Sequence, residues 1–226
     1  LGKGPKSIHE VAGMWLLPGG RAAIAKELND IKLYSKFVDA QIEHNKRFER
    51  TRLQPMYQRV ANAIREVDSQ HALLLEASYH CNTGIYSGIE PVLGPDGKRD
   101  PNQAFVPHAY DIVVDTPQIA EGHSDRIKLI LRRQRGTAQR LAMPMILGDW
   151  GAFGWSADQG VVRRAEAIQR EFERMLCGDT YWDYGPKIAQ QVYFHTLKRS
   201  IPCRVAGELI EYRSDPESGK FSCRWE

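Results

Sequence analysis

Four short apolar runs, each closing on residues able to do chemistry, recur along this chain with amphipathic helical text between the later ones. They are His71-Ala-Leu-Leu-Leu-Glu76, Ala104-Phe-Val-Pro-His-Ala-Tyr-Asp111, Met143-Pro-Met-Ile-Leu-Gly-Asp149 and Asp179-Thr-Tyr-Trp-Asp-Tyr184. A continuous apolar run of this length marks a strand buried on both faces, as in a parallel sheet covered by helices. Ser124 to Leu141 reads as a basic helix. Residues 158 to 176 read as another, with Val162, Ala165, Ile168, Phe172 and Leu176 on one face. Such alternation predicts an α/β protein, either doubly wound or closed into a (β/α)8 barrel. Barrels draw reactive side chains from the C-terminal ends of many successive strands, whereas a doubly wound sheet gathers them at one switch point. Here Glu76, then His108 with Tyr110, then Asp149, then Trp182 with Asp183 stand at successive run ends, which favours the barrel.

The flanks are read the same way. Residues 21 to 68 are helical in pattern, with one segment around Ala22 to Asn45 and a second from Leu53 to Val67, whose Leu53, Met56, Tyr57, Val60, Ile64 and Val67 form one apolar face. Val11 to Leu17 fits a buried strand or part of a helix, and Pro18-Gly19-Gly20 is expected to stop either. After Arg199 the period shortens: Arg204 to Tyr212 and Phe221 to Trp225, joined by Asp215 to Gly219, predict a hairpin opening an antiparallel β domain. A strand-helix unit takes about 30 residues and a closed barrel about 250. The expected architecture is therefore an incomplete barrel, strands four or five to eight, over residues 1–196. The start of a β-sandwich is expected over residues 197–226, and the missing barrel half is expected from upstream sequence or a partner chain.

Composition narrows the partners. A net charge of +3, with acids and bases mixed along 226 residues and no basic tail, argues against nucleic acid. No glycine-rich phosphate loop appears, no apolar run is long enough to span a bilayer, and no cofactor is expected. Cys81, Cys177, Cys203 and Cys223 lack the paired spacing of a zinc site, and His80 beside Cys81 is too little to hold a metal. Cys203 and Cys223 either pair across the late hairpin or stay free, so a secreted and a cytoplasmic location both remain open. Arg132-Arg-Gln-Arg135 with Arg140 reads as a solvated helix face, the alternative being a grip on the rest of the barrel.

Taken in order, Leu53-Gln-Pro-Met-Tyr, Ala63-Ile-Arg-Glu-Val-Asp68, Leu75-Glu76, Val106-Pro-His-Ala-Tyr-Asp111, Pro144-Met-Ile-Leu-Gly-Asp-Trp-Gly151, Tyr181-Trp182 and Leu197 to Gly207 resemble glycoside hydrolase family five, and within it the endoglycoceramidase-like group. The resemblance runs from about residue 50 to the end of the chain. It implies a retaining hydrolase of β-glycosidic bonds in glycolipids or oligosaccharides. Asp149 would be the nucleophile, His108 and Tyr110 would orient it, and Trp182 would floor the sugar site, with Trp150 as a second substrate-binding aromatic.

Two departures bear on activity. The family's Gly-Glu-Phe/Trp-Gly stands here as Gly148-Asp149-Trp150-Gly151, one methylene short, and a displacement of ~1 Å can cost ~100-fold. The Asn-Glu-Pro expected after strand four is not found; if Gly13 to Leu17 is that strand, Pro18-Gly19-Gly20 occupies the place of the acid/base, a loss of ~100 to 10,000-fold. Glu76, closing an apolar strand, is the candidate replacement acid, because burial raises a carboxyl pKa; a structural partner to an arginine or to the backbone is its alternative. Helix capping by Asp149, a structural His108 and a core Trp182 are the plainer readings of those residues. Two functions stay in view: an impaired glycosidase, and a non-catalytic barrel that binds carbohydrate or protein.

Overall fold

A computed structural model describes residues 13–154 and 158–226. After a helical segment at residues 13–16 come α1 (Pro18–Glu27), α2 (Ile31–Asp39), α3 (Ile42–Phe48) and, after one π-helical turn at Glu49–Leu53, α4 (Gln54–Val67). Strands β1 (Leu73–Leu75) and β2 (Gln103–Phe105) follow, then helix α5 (Ser124–Leu141), β3 (Ile146–Gly151), α6 (Gln159–Met175), β4 (Gly178–Trp182) and a short α7 (Phe194–Leu197). Strands β5 (Leu209–Asp215) and β6 (Lys220–Trp225) make the closing antiparallel hairpin.

The sheet decides between the two architectures. β1 pairs with β2 in parallel, and β3 with β4 in parallel. Parallel bridges Phe105↔Met145 and Ala109↔Trp150 join β2 to β3. Spatial order among the described strands therefore equals chain order, β1-β2-β3-β4, as in a (β/α)8 barrel, with none of the reversal that marks the switch point of a doubly wound sheet.

Helices cover one face. On α5, Ile127, Ile130, Leu131, Ala138 and Leu141 are buried at spacings of three and four, and on α6 Val161, Val162, Ala165, Ile168 and Phe172 are. Leu147 and Trp150 of β3 pack into the same core. Strict strand alternation would put residues three apart on opposite faces. The β3–β4 register shifts between Leu147 and Trp150, a β-bulge that inserts one extra residue and lets both face the helices while Asp149 faces away.

Several expectations are corrected. Residues 13–16 are helical, so Gly13 to Leu17 is not strand four; Val11 and Ala12 lie outside the described residues. The helical turn at 13–16 does stop before Pro18-Gly19-Gly20, which itself opens α1, since proline at the first helical turn has no needed N–H to lose. The single segment expected from Ala22 to Asn45 is three helices. Asp30 breaks it by capping α2, accepting from the backbone N–H of Lys32 and Leu33 at 2.8 and 3.2 Å. Burial on both faces holds for β2 alone: Leu74 of β1, Ile146 of β3 and Trp182 of β4 are exposed.

The arginine run of α5 is not simply solvated. Arg132 and Arg135 are exposed, but Arg133 is buried, pairing with Asp39 of α2 at 2.7 Å and donating to the Gly84 carbonyl. Arg140 pairs with Glu90 at 2.8 Å and donates to the carbonyls of Ser87 and Ile89, so α5 fastens the long β1–β2 loop. All four cysteines are free thiols. The hairpin docks on α6 through Ser214, whose N–H donates to Glu173 at 3.0 Å and whose carbonyl accepts from Arg170 at 2.5 Å.

Candidate active site

The C-terminal ends of β1, β2 and β3 converge on one cleft of about 660 Å³. Its lining combines polar groups, Glu76, His108, Tyr110, Asp149 and Asn82, with the apolar or aromatic Phe48, Leu53, Tyr57 and Tyr79. His108 sits in the middle. Its Nδ1 lies 3.3 Å from Glu76 Oε1 and 3.6 Å from Asp149 Oδ2, so one imidazole faces two carboxylates carried by the strands on either side. Both carboxyl groups lie within reach of one nitrogen, so these two oxygens are no farther apart than roughly 7 Å, below the ~9.5 Å upper limit of glycosidase carboxyl pairs.

Tyr110 completes the arrangement. Its ring meets His108 edge to face at 6.2 Å, and it lines the same cleft as Asp149, close enough for the Asp149 charge to act on its phenol. Burial pushes the Tyr110 phenol well above its usual range, and the Asp149 charge pushes the same way, so it stays a neutral donor. The Glu76 carboxyl is also raised, by burial first; the His108 charge opposes and the Asp149 charge adds. Asp149 belongs to a strand and caps no helix.

Backbone close approach makes this geometry attainable. The Gly148 N–H donates to the Pro107 carbonyl at 2.8 Å and the Ala109 N–H to the Asp149 carbonyl at 3.0 Å, locking β2 beside β3. A Cβ on Gly148 would lie 2.8 Å from Val106 Cγ1 and 3.0 Å from His108 Cδ2, so glycine is what lets the imidazole lie against β3.

The two tryptophans part company. Trp182 ends β4, 54% exposed on the same rim as Asp149 but outside the residues lining the cleft. Trp150 is corrected: at 1% exposure it lies under Phe153, Phe172 and Tyr181, and its Nε1–H donates to Asp179 Oδ2 at 2.7 Å. The bulge turns it toward the helices, where no sugar can reach it.

Four supporting groups escaped the sequence reading. The Gln134 side chain, buried on α5, donates to the carbonyls of Cys81 at 2.7 Å and His108 at 3.1 Å. The Tyr57 hydroxyl donates to the Glu76 carbonyl at 2.6 Å. Asp111, next to Tyr110, takes a two-pronged hydrogen bond from fully buried Arg126 at 2.8 to 3.2 Å. Glu49, on the π turn, is fully buried beneath the β1–β2 loop. A π turn inside helical text was the only local clue to Glu49, and hydrophobic period does not show it.

The cellulase model of glycosyl hydrolase family 5 matches residues 37–188. This chain belongs to glycosyl hydrolase family 5. That membership implies a (β/α)8 barrel, in agreement with the strand order. Family 5 chains of known structure that resemble it include endo-glycoceramidase II from Rhodococcus sp. in a five-membered iminocyclitol complex, at 27% identity and TM-score 0.61 over 76% of this chain and 41% of that one. The lactosyl-enzyme intermediate of that protein gives TM-score 0.60 at 27% identity over 76% and 40%. Its ganglioside GM3 complex gives 0.61 at 28% over 76% and 41%. The family 5 chain thus spans about two fifths of the length of these relatives. A search of curated proteins gave no match.

Proposed function

We propose that this chain carries the nucleophile side of a retaining β-glycoside hydrolase site acting on glycolipid or oligosaccharide β-glycosides. The observation that carries the reading is Asp149 facing His108 at 3.6 Å, with Tyr110 against the same imidazole, at converging strand ends. In this reading β1 to β4 are the last four strands of the barrel, within a catalytic domain over residues 1–196. The hairpin from residue 197 onward opens the β domain. Asp149 attacks the anomeric carbon while the bond to the leaving oxygen breaks, forming a glycosyl ester. Water then cleaves that ester with net retention. Tyr110 and His108 hold the carboxylate on the line of attack, and Trp182 offers its face to the sugar.

Glu76 is the described carboxyl best suited to protonate the leaving oxygen, since burial keeps its proton on to higher pH. An apolar cavity of about 840 Å³, lined by Trp15, Leu28, Phe37 and Ile85, shares Phe48 and His80 with the cleft, which favours a substrate with a hydrocarbon part. The one-methylene shortening at Asp149 makes a slow enzyme of the reading.

Incubation with a 2-deoxy-2-fluoro-β-glucosyl donor, followed by peptide mass mapping, is expected to place the covalent sugar on Asp149. A label on another carboxylate rejects the assignment. Glycan binding with neither label nor turnover favours the non-catalytic barrel instead. A second expectation concerns pH. An acid must be protonated to act, so kcat/KM falls as pH rises through the raised Glu76 pKa. Glu76→Gln should remove that alkaline limb and slow poor leaving groups by ~100 to 10,000-fold, with activated aryl glycosides far less affected. A Glu76→Gln profile that keeps the limb gives Glu76 the role of an ion-pair partner to His108.

A further inference from the structure

The loop after β1 is held from below by an unusual anchor. Glu49 accepts hydrogen bonds from the Ser78 N–H at 2.8 Å, the Ser87 hydroxyl at 2.9 Å and the Gly88 N–H. The Cys81 thiol lies 3.5 Å from the same carboxylate, and Asn45 takes the Ser78 hydroxyl. All these partners are neutral, and a carboxylate taken fully out of water is tolerated only where donors replace its hydration. The fold accepts that cost to fix a short stretch of chain. Within it, Ser78, Cys81 and Asn82 are buried, while Tyr79 and His80 stand outside.

Tyr79 is 80% exposed, meets His80 edge to face at 6.0 Å, and lines the same cleft as Asp149, His108 and Tyr110. A flat ring on a backbone already ordered by folding loses little freedom when a ligand lands on it. Its apolar face suits the C–H face of a pyranose, and its hydroxyl stays wet. We propose that Tyr79 is a stacking platform for the pyranose ring adjoining the one that Asp149 attacks. Glu49 and its donors are the positioning residues that hold it. The proposal rests on the hydrolase reading above and adds a second sugar subsite to it.

Two substrates separate the subsites. β-Glucosyl fluoride carries a single ring, and cellotriose fills neighbouring positions. In Tyr79→Ala, KM for cellotriose should rise roughly 10-fold more than KM for β-glucosyl fluoride, and Tyr79→Phe should restore most of it. Equal losses on both substrates, or an unaltered cellotriose KM, overturn the platform. If the wild-type protein turns over neither substrate, the hydrolase reading fails by itself. Saturation-transfer NMR with cellotriose then reads the subsite: signal lost in Tyr79→Ala supports it, and signal retained overturns it.

Discussion

Replacing Asp149 by glycine lowers kcat on an aryl β-glucoside by about 10^4 to 10^6-fold, the loss expected when a covalent nucleophile is removed from a site that otherwise stays assembled. The remaining parts do stay in place. Asp149 lies on a strand locked by the Gly148 to Pro107 and Ala109 to Asp149 backbone hydrogen bonds, which do not use its side chain. The melting temperature should therefore move little. Azide, small enough to enter the space vacated by the carboxylate, should restore part of the rate and deliver the glycosyl azide of inverted configuration. Product analysis by NMR checks this. A glycine variant within ten-fold of wild type would falsify the assignment of Asp149, and azide rescue yielding the retained azide would move the attacking group elsewhere.

Arg126→Met destabilises the fold by about 3 to 5 kcal/mol, the cost of leaving a buried charge without its partner. Arg126 is fully buried, and beyond its two-pronged contact with Asp111 it donates to the Ala25 carbonyl at 3.1 Å and to Asn29, both from α1 or its end. Asp111 accepts in turn from the N–H groups of Val113 and His123, so the pair binds α1, the start of α5 and the loop behind Tyr110. For a domain of this size such a loss lowers the melting temperature by roughly 6 to 20 °C. Adding Asp111→Leu should recover a good part of it, because a neutral pair no longer carries a stranded charge. Calorimetry checks both; a single-variant loss under about 1 kcal/mol, or a double variant less stable than Arg126→Met, would contradict this account.

Sequence text carried the strand ends well, and for a physical reason. A buried parallel strand writes itself as a local apolar run, and the residue just past it stands on the barrel's open face, so Glu76, His108, Tyr110 and Asp149 were recognisable without coordinates. The front of the chain was less legible. Met14, Trp15, Leu16 and Leu17 are apolar enough for a strand, yet residues 13–16 are helical, with only Met14 and Trp15 packed against the core and Leu16 and Leu17 exposed. Trp150 was misplaced because a register shift depends on the partner strand, which a single run does not contain. Glu49, Gln134 and Arg133 read as surface residues by type. Their burial follows from the β1–β2 loop folding back over α3 and α5, a long-range event with no local signature.

The bulge in β3 has a corollary. With its extra residue, Asp149 looks into the cleft and Trp150 into the packed interior; losing one residue between Leu147 and Trp150 would exchange the inward and outward sides at that strand end. A deletion in that step would therefore disturb the cleft and the core together, whereas a change of side chain at residue 149 acts on the cleft alone. Deleting one residue from this three-residue step should cost far more stability than deleting one residue from the β4–α7 connection, which thermal melting of the two variants checks.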